Sequence, residues 1–116
     1  MRFLKTVVLA ASVLVAGPLL AQGDDVQVFS GAGQTNQLDC DGGGIRIEGA
    51  GNILTITGGC TSLTVEGASN EIQVDMAPGG RIAVSGASNR VRWTAPQGTR
   101  ARVSSSGADN RIARAN

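Results

Sequence analysis

The sequence predicts an all-β fold, a short single-domain β-solenoid of about five coils, parallel β-helix-like in build. Three observations predict it: a Gly-Ala-x-Asn tetrapeptide returns along the chain, aliphatic residues alternate with polar ones on both sides of each copy, and aromatics make up only 3%. The copies are GAGN at 49–52, GASN at 67–70, GASN at 86–89 and GADN at 107–110, with a looser GAGQTN at 31–36. Their first glycines step by 18, 18, 19 and 21 residues from Gly31 to Gly107. A recurring period of this size marks stacked structural units.

The alternation assigns the strands. Ile45 and Ile47 precede one turn, and Leu54 and Ile56 follow it. Leu63 and Val65 with Ile72 and Val74, then Ile82 and Val84 with Val91 and Trp93, repeat the pattern. A period of two places such residues on one buried face of a strand. Each unit therefore reads as strand, Gly-Ala-x-Asn turn, strand and a variable second turn: Gly58-Gly59, Pro78-Gly79-Gly80 or Pro96-Gln97-Gly98. One unit of hairpin size cannot bury its apolar side alone, whereas units stacked at about 4.8 Å share a continuous interior. An antiparallel sandwich also uses short strands with turn signals, but it does not need the same turn sequence four times.

Within the turn, glycine enters positive-φ backbone without steric cost, which accounts for Gly49, Gly67, Gly86 and Gly107. Ala50, Ala68, Ala87 and Ala108 suit a crowded corner. Asn36, Asn52, Asn70, Asn89 and Asn110 tolerate left-handed backbone and can bond neighbouring backbone through their amides, so they are expected to stack as an asparagine ladder. A recurring turn residue is usually structural, which ranks a ligand-binding row of asparagines well below the ladder.

Residues 1–21 read as a cleavable signal peptide, leaving 22–116 as the repeat domain. Arg2 and Lys5 precede an apolar run from Val7 to Val15, then a Gly17-Pro18 break and a small Ala21 at the expected cut. Val7–Ala21 spans 15 residues, short of the roughly 20 that a membrane-spanning helix needs. The expected location is periplasmic or secreted, with no membrane span after cleavage. In such a compartment Cys40 and Cys60, the only cysteines and in consecutive units, are expected to form a disulfide.

The run from Cys40 to Trp93 opens on C-D-G-G-G-I-R-I-E-G-A-G-N, passes through G-G-C at 58–60 and carries V-x-G-A-S-N repeats. In these motifs it resembles the domain of unknown function 3060 family. The resemblance implies a small exported bacterial repeat domain and supplies no active site.

Chemistry is sparse. There is no His or Tyr, so catalysis would rest on carboxylates, Arg, Ser or Thr. Asp39, Asp41, Glu48, Glu66, Glu71 and Asp75 alternate with inward apolar residues or flank turns, as solvated charges do. Two thiols without His do not complete a zinc site, and the Asp position of calcium-binding nonapeptide repeats is filled by Ile53, Glu71 or Arg90. No enzyme activity, metal or cofactor is expected.

Charge is balanced overall but sorted along the chain. Residues 22–116 carry 6 Asp and 3 Glu against 8 Arg, a net of −1, so bulk charge does not point to nucleic acid. Eight of those nine acids lie at or before Asp75, and seven of the eight arginines lie at or after Arg81. In a solenoid, sequence order is axial order, so the C-terminal end should be basic. Arg100, Arg102, Arg111 and Arg114 are the candidate pole for an anionic envelope polymer or for self-association, with capping of the last coil as the plainer role. The functional expectation is an exported, noncatalytic binding or structural module of the cell envelope. The alternative is a small carbohydrate-active β-helix protein that binds or cleaves polysaccharide.

Overall fold

The computed structural model describes residues 26–116, so the signal-peptide expectation for 1–21 lies outside the described residues. Eight strands follow in order: β1 (Val26–Ala32), β2 (Thr35–Asp39), β3 (Gly44–Ala50), β4 (Ile53–Ala68), β5 (Glu71–Ala87), β6 (Arg90–Thr94), β7 (Arg102–Ala108) and β8 (Arg111–Arg114). Every strand pairing among them is parallel. Parallel neighbours with this connectivity form a β-solenoid of five coils, not a sandwich. Among the described residues no helix is long and apolar enough to cross a membrane.

Each coil has two pleated faces. The first face stacks β1, β3, the second half of β4, the second half of β5, and β7. The second face stacks β2, the first half of β4, the first half of β5, β6 and β8. Because β4 and β5 run from the second face to the first, the faces join into one eight-stranded sheet.

That continuity corrects the expected second turn. At Gly58-Gly59 and Pro78-Gly80 the chain bends without leaving the strand. The β4–β5 ladder is carried round the corner by register shifts on either side of Cys60, and Gly58 and Gly59 take positive φ there (101° and 63°). A strand can turn a corner in this way by a bulge. In the fourth coil, by contrast, the chain leaves the sheet between Thr94 and Arg102, around Pro96-Gln97-Gly98.

The alternation becomes four inward columns. Ile45–Leu63–Ile82 and Ile47–Val65–Val84 line the first face, and Leu54–Ile72–Val91 and Ile56–Val74–Trp93 the second. All twelve are buried, and each aliphatic so placed contributes about 1.5–3 kcal/mol by leaving water. Cys40, Cys60, Met76 and Ala95 fill the third corner and are buried too.

The end coils finish these columns with a mixture. In the first coil the inward positions hold Gln27, Phe29, Asn36 and Leu38; in the last they hold Val103, Ser105, Ile112 and Arg114. Two of four are polar at each end. Gln27 donates from Nε2 across the first coil to the carbonyl of Asp39 at 2.8 Å. Arg114 lies over the Trp93 ring, 5.0 Å from its centroid, and donates to the carbonyls of Thr99 (2.7 Å), Ala95 (3.2 Å) and Pro96 (3.2 Å). Repeat arrays need such polar covers, since an open coil would leave its apolar interior in water.

Candidate functional site

The Gly-Ala-x-Asn corner is spent on stacking. Asn52, Asn70 and Asn89 are buried to within 1% of full enclosure, and Asn110 follows them. From each, Nδ2 donates to Oδ1 of the next asparagine, at 3.0 Å for all three steps. The same group donates to a glycine carbonyl of the previous coil: Asn52 to Gly31 (3.0 Å), Asn70 to Gly49 (3.1 Å), Asn89 to Gly67 (3.0 Å) and Asn110 to Gly86 (3.1 Å). In return, Oδ1 accepts the backbone N–H one coil earlier, as between Asn52 and Asn70 at 3.1 Å. A buried amide with its donors and acceptors used has nothing left for a ligand.

Two details differ from the sequence reading. Asn36 is not in the ladder: it pairs in register with Leu54 and is exposed. The first rung is Gln34, whose N–H donates to Asn52 Oδ1 at 3.0 Å. Nor do the asparagines take left-handed backbone. Positive φ falls on the residue before them, at Gly51 (69°), Ser69 (58°), Ser88 (58°) and Asp109 (60°), and on the first glycine, as at Gly67 (139°). The glycine column has a second cause. A Cβ on Gly49, Gly67, Gly86 or Gly107 would overlap the carbonyl oxygen of the glycine one coil earlier.

The third corner carries the Cys40–Cys60 disulfide, with Cα atoms 5.3 Å apart, which ties the first coil to the second. Asp41 lies beside it in the following turn rather than on a strand, its N–H donating to Asp39 Oδ1 at 2.8 Å. Among the described residues no three His, Cys, Asp or Glu side chains converge to hold a metal ion.

The outward columns hold the charge. On the first face Glu48 and Glu66 are neighbours in register and share Arg46, whose Nε lies 2.8 Å from Glu48 and whose Nη2 lies 2.9 Å from Glu66. The hydrogen bond that Arg46 donates to Glu66, then the charges of Glu66 and Glu48, hold the guanidinium above its ordinary pKa. Asp39 and Asp75 sit on the second face, each beside a threonine of the next coil, Thr57 and Thr94.

The arginines of the candidate pole divide among three places, with Arg100 and Arg114 sharing one of them. Arg114 is folded onto Trp93 as a cap. Arg100 faces Arg114 across a hollow of about 210 Å³ at the C-terminal end. Arg102 stacks in register on Arg81 at the start of the first face, and Arg111 stacks on Arg90 at the start of the second. Arg92 lies two residues beyond Arg90 on that same outward side. Arg81, Arg90 and Arg92 were not singled out from sequence. The signal was the repeat phase, since Arg90 and Arg111 each follow a ladder asparagine, and Arg81 and Arg102 each stand five residues before a turn glycine.

Next to Arg92 the second face carries a shallow groove of about 230 Å³, lined by Thr55, Thr57, Gln73, Asp75, Arg92 and Thr94. Hydroxyls, an amide, one carboxylate and one guanidinium stand over a lining that is mostly apolar carbon, to which Ile56, Val74 and Ala115 also contribute. Thr94 donates to Asp75 Oδ1 at 3.3 Å.

Residues 47–109, more than half of the chain, match the model of the family described as protein of unknown function (DUF3060). Neither curated proteins nor solved structures match the chain.

Proposed function

The chain belongs to the DUF3060 family of proteins of unknown function, and from that premise we propose that it is an exported, noncatalytic binding or structural module of the bacterial cell envelope. The observation that carries this reading is the division between the inside and the outside of the coils. The repeated turn residues, the asparagine ladder above all, are consumed in stacking. The outward columns, which carry the charged side chains, are left to specify a partner. The result is a stiff stack that presents fixed rows of side chains. Export is supported by the order of residues 1–21 and by a buried disulfide, which suits an oxidising compartment.

The test is fractionation of cells expressing the full chain, with intact mass of the recovered protein. The reading expects a product cleaved after Ala21, disulfide-linked, in the periplasm or medium and partly retained on envelope material. Uncleaved protein in the cytoplasm with two free thiols would overturn it.

One observation favours the carbohydrate reading: the groove on the second face sets hydrogen-bonding groups beside apolar carbon, the mixture that a sugar ring with its hydroxyls also presents. Cleavage would need two carboxylates roughly 5–10 Å apart across the substrate, and Asp75 is the groove's single acid. The groove therefore supports holding a glycan rather than cutting one.

A further inference from the structure

Six arginines of the described chain have no assigned task. The ion pairs among the described residues are confined to Arg46, and Arg114 is used as a cap. Arg81, Arg90, Arg92, Arg100, Arg102 and Arg111 are all exposed. Two pairs of them, Arg81 with Arg102 and Arg90 with Arg111, are direct neighbours in register. Like charges placed opposite one another destabilise a sheet, so the fold gains nothing from either arginine-on-arginine contact; Arg90 also has Glu71 as its in-register neighbour on the third coil, whereas Arg92 and Arg111 have no acidic neighbour in register. Capping accounts for charges on the last coil alone. It leaves Arg81, Arg90 and Arg92 unexplained, because they sit on the fourth coil with a fifth stacked above it.

We infer that the second face of the second to fifth coils is a binding surface for an acidic polysaccharide, with Arg90, Arg92 and Arg111 holding its anionic substituents. This rests on the envelope reading above. The Cα atoms that carry them stand about 5 Å apart across the strands and about 7 Å apart along them, so the coil fixes where the three side chains start. Each offers the planar fork that pairs with a carboxylate, sulfate or phosphate. Arg92 also lines the groove, where Gln73, Thr55, Thr57 and Thr94 supply hydrogen bonds to neutral hydroxyls, and Asp75 supplies an acceptor. Anion-holding and hydroxyl-holding groups thus lie side by side on one flat face, which fits a polymer bearing both. A single-stranded nucleic acid would want aromatic platforms for its bases, and this face offers none, since Trp93 points inward and is buried.

The test compares the processed wild-type protein with two triple variants of equal charge change: Arg90→Gln/Arg92→Gln/Arg111→Gln on the second face, and Arg81→Gln/Arg100→Gln/Arg102→Gln elsewhere. The probes are polygalacturonate, dextran of similar length, oligothymidylate and vesicles containing anionic phospholipid, each at low and high salt. Wild type should prefer polygalacturonate over the other three and lose that binding as salt rises. The second-face variant should bind at least 10-fold more weakly, and the other variant within 3-fold of wild type. The second-face variant should also unfold within about 4 °C of wild type, because losing the Arg90–Arg111 repulsion is set against losing the Glu71–Arg90 attraction. Equal losses in both variants, preference for oligothymidylate or vesicles, or an unfolding temperature lowered by more than that in the second-face variant would each overturn the assignment. Retention on envelope material without affinity for polygalacturonate would sink this inference and leave the envelope reading standing; cytoplasmic, uncleaved protein would sink that reading itself.

Discussion

Replacing Asn70 by Ala removes the middle of the ladder. Its side chain accepts from the N–H of Asn52 (3.1 Å) and from Asn52 Nδ2 (3.0 Å), and donates to the Gly49 carbonyl (3.1 Å) and to Asn89 Oδ1 (3.0 Å). With Asn70 only 1% exposed, water does not reach the groups left behind. At about 1 kcal/mol net per bond, somewhat less for Asn89 Oδ1, which still accepts the Asn70 N–H, the change should cost about 3–4 kcal/mol. That is a large part of the 5–15 kcal/mol typical of a whole domain. Urea unfolding followed by emission of Trp93, the sole tryptophan, reads it directly. At a slope of about 1.5 kcal/mol per molar, the midpoint should fall by roughly 2–3 M. Asn36→Ala is the matched comparison: Asn36 is exposed and its Oδ1 accepts the N–H of Gln37 (2.9 Å), so its loss should stay below about 1 kcal/mol. A shift below about 1 kcal/mol for Asn70→Ala, or equal shifts for both variants, would refute the ladder as a source of stability.

Three further outcomes follow from the same geometry. Val74→Asp puts a charge between Ile56 and Trp93 in a closed column and should abolish cooperative unfolding, while exposed Gln73→Asp should stay within about 0.5 kcal/mol of wild type; equal tolerance would mean a wrong register. Cys40→Ser/Cys60→Ser opens a link across a separation of 20 residues and should lower stability by about 3 kcal/mol in urea; an unchanged midpoint would contradict a staple on the first coils. Ser88 holds φ at 58°, so Ser88→Gly should raise the thermal midpoint, by about 0.5–1 kcal/mol in stability, and a lowered midpoint would show that its side chain is needed.

The fold was legible because stacking writes the same residues into the chain at each pass. Ile47, Val65 and Val84, or Gly49, Gly67 and Gly86, are read as equivalent from sequence and are in-register neighbours in space. The first coil was harder, since GAGQTN offers two amides and residue type alone favours Asn36 over Gln34. Their roles differ by position: Gln34 meets Asn52 through its backbone, and Asn36 is one of the polar inward residues that close the end. Left-handed backbone was assigned to the asparagines because they tolerate it, yet the amide must turn inward to bond the next coil, and the positive φ falls one residue earlier. The arginines show the same limit. Order along the chain gave their axial position, but the face each one occupies depends on its phase against the ladder, and so Arg90 and Arg92 belong with Arg111 while Arg102 belongs with Arg81.

Parallel stacking of the five coils in this register underlies the ladder, the columns and the binding face alike, and paired cysteines measure it directly. Thr64 and Ala83 are outward neighbours on consecutive coils, and Ser104 follows Ala83 on the next. Neighbouring strands put Cα atoms about 4.8 Å apart, inside the range of roughly 4.4–6.8 Å that a disulfide spans, whereas two coils put them at about 10 Å, beyond it. Under mild oxidation, Thr64→Cys/Ala83→Cys should form a second disulfide beside Cys40–Cys60 in nonreducing peptide mapping, and Thr64→Cys/Ser104→Cys should keep two free thiols. Linkage of the second pair and not the first would contradict the parallel five-coil stack.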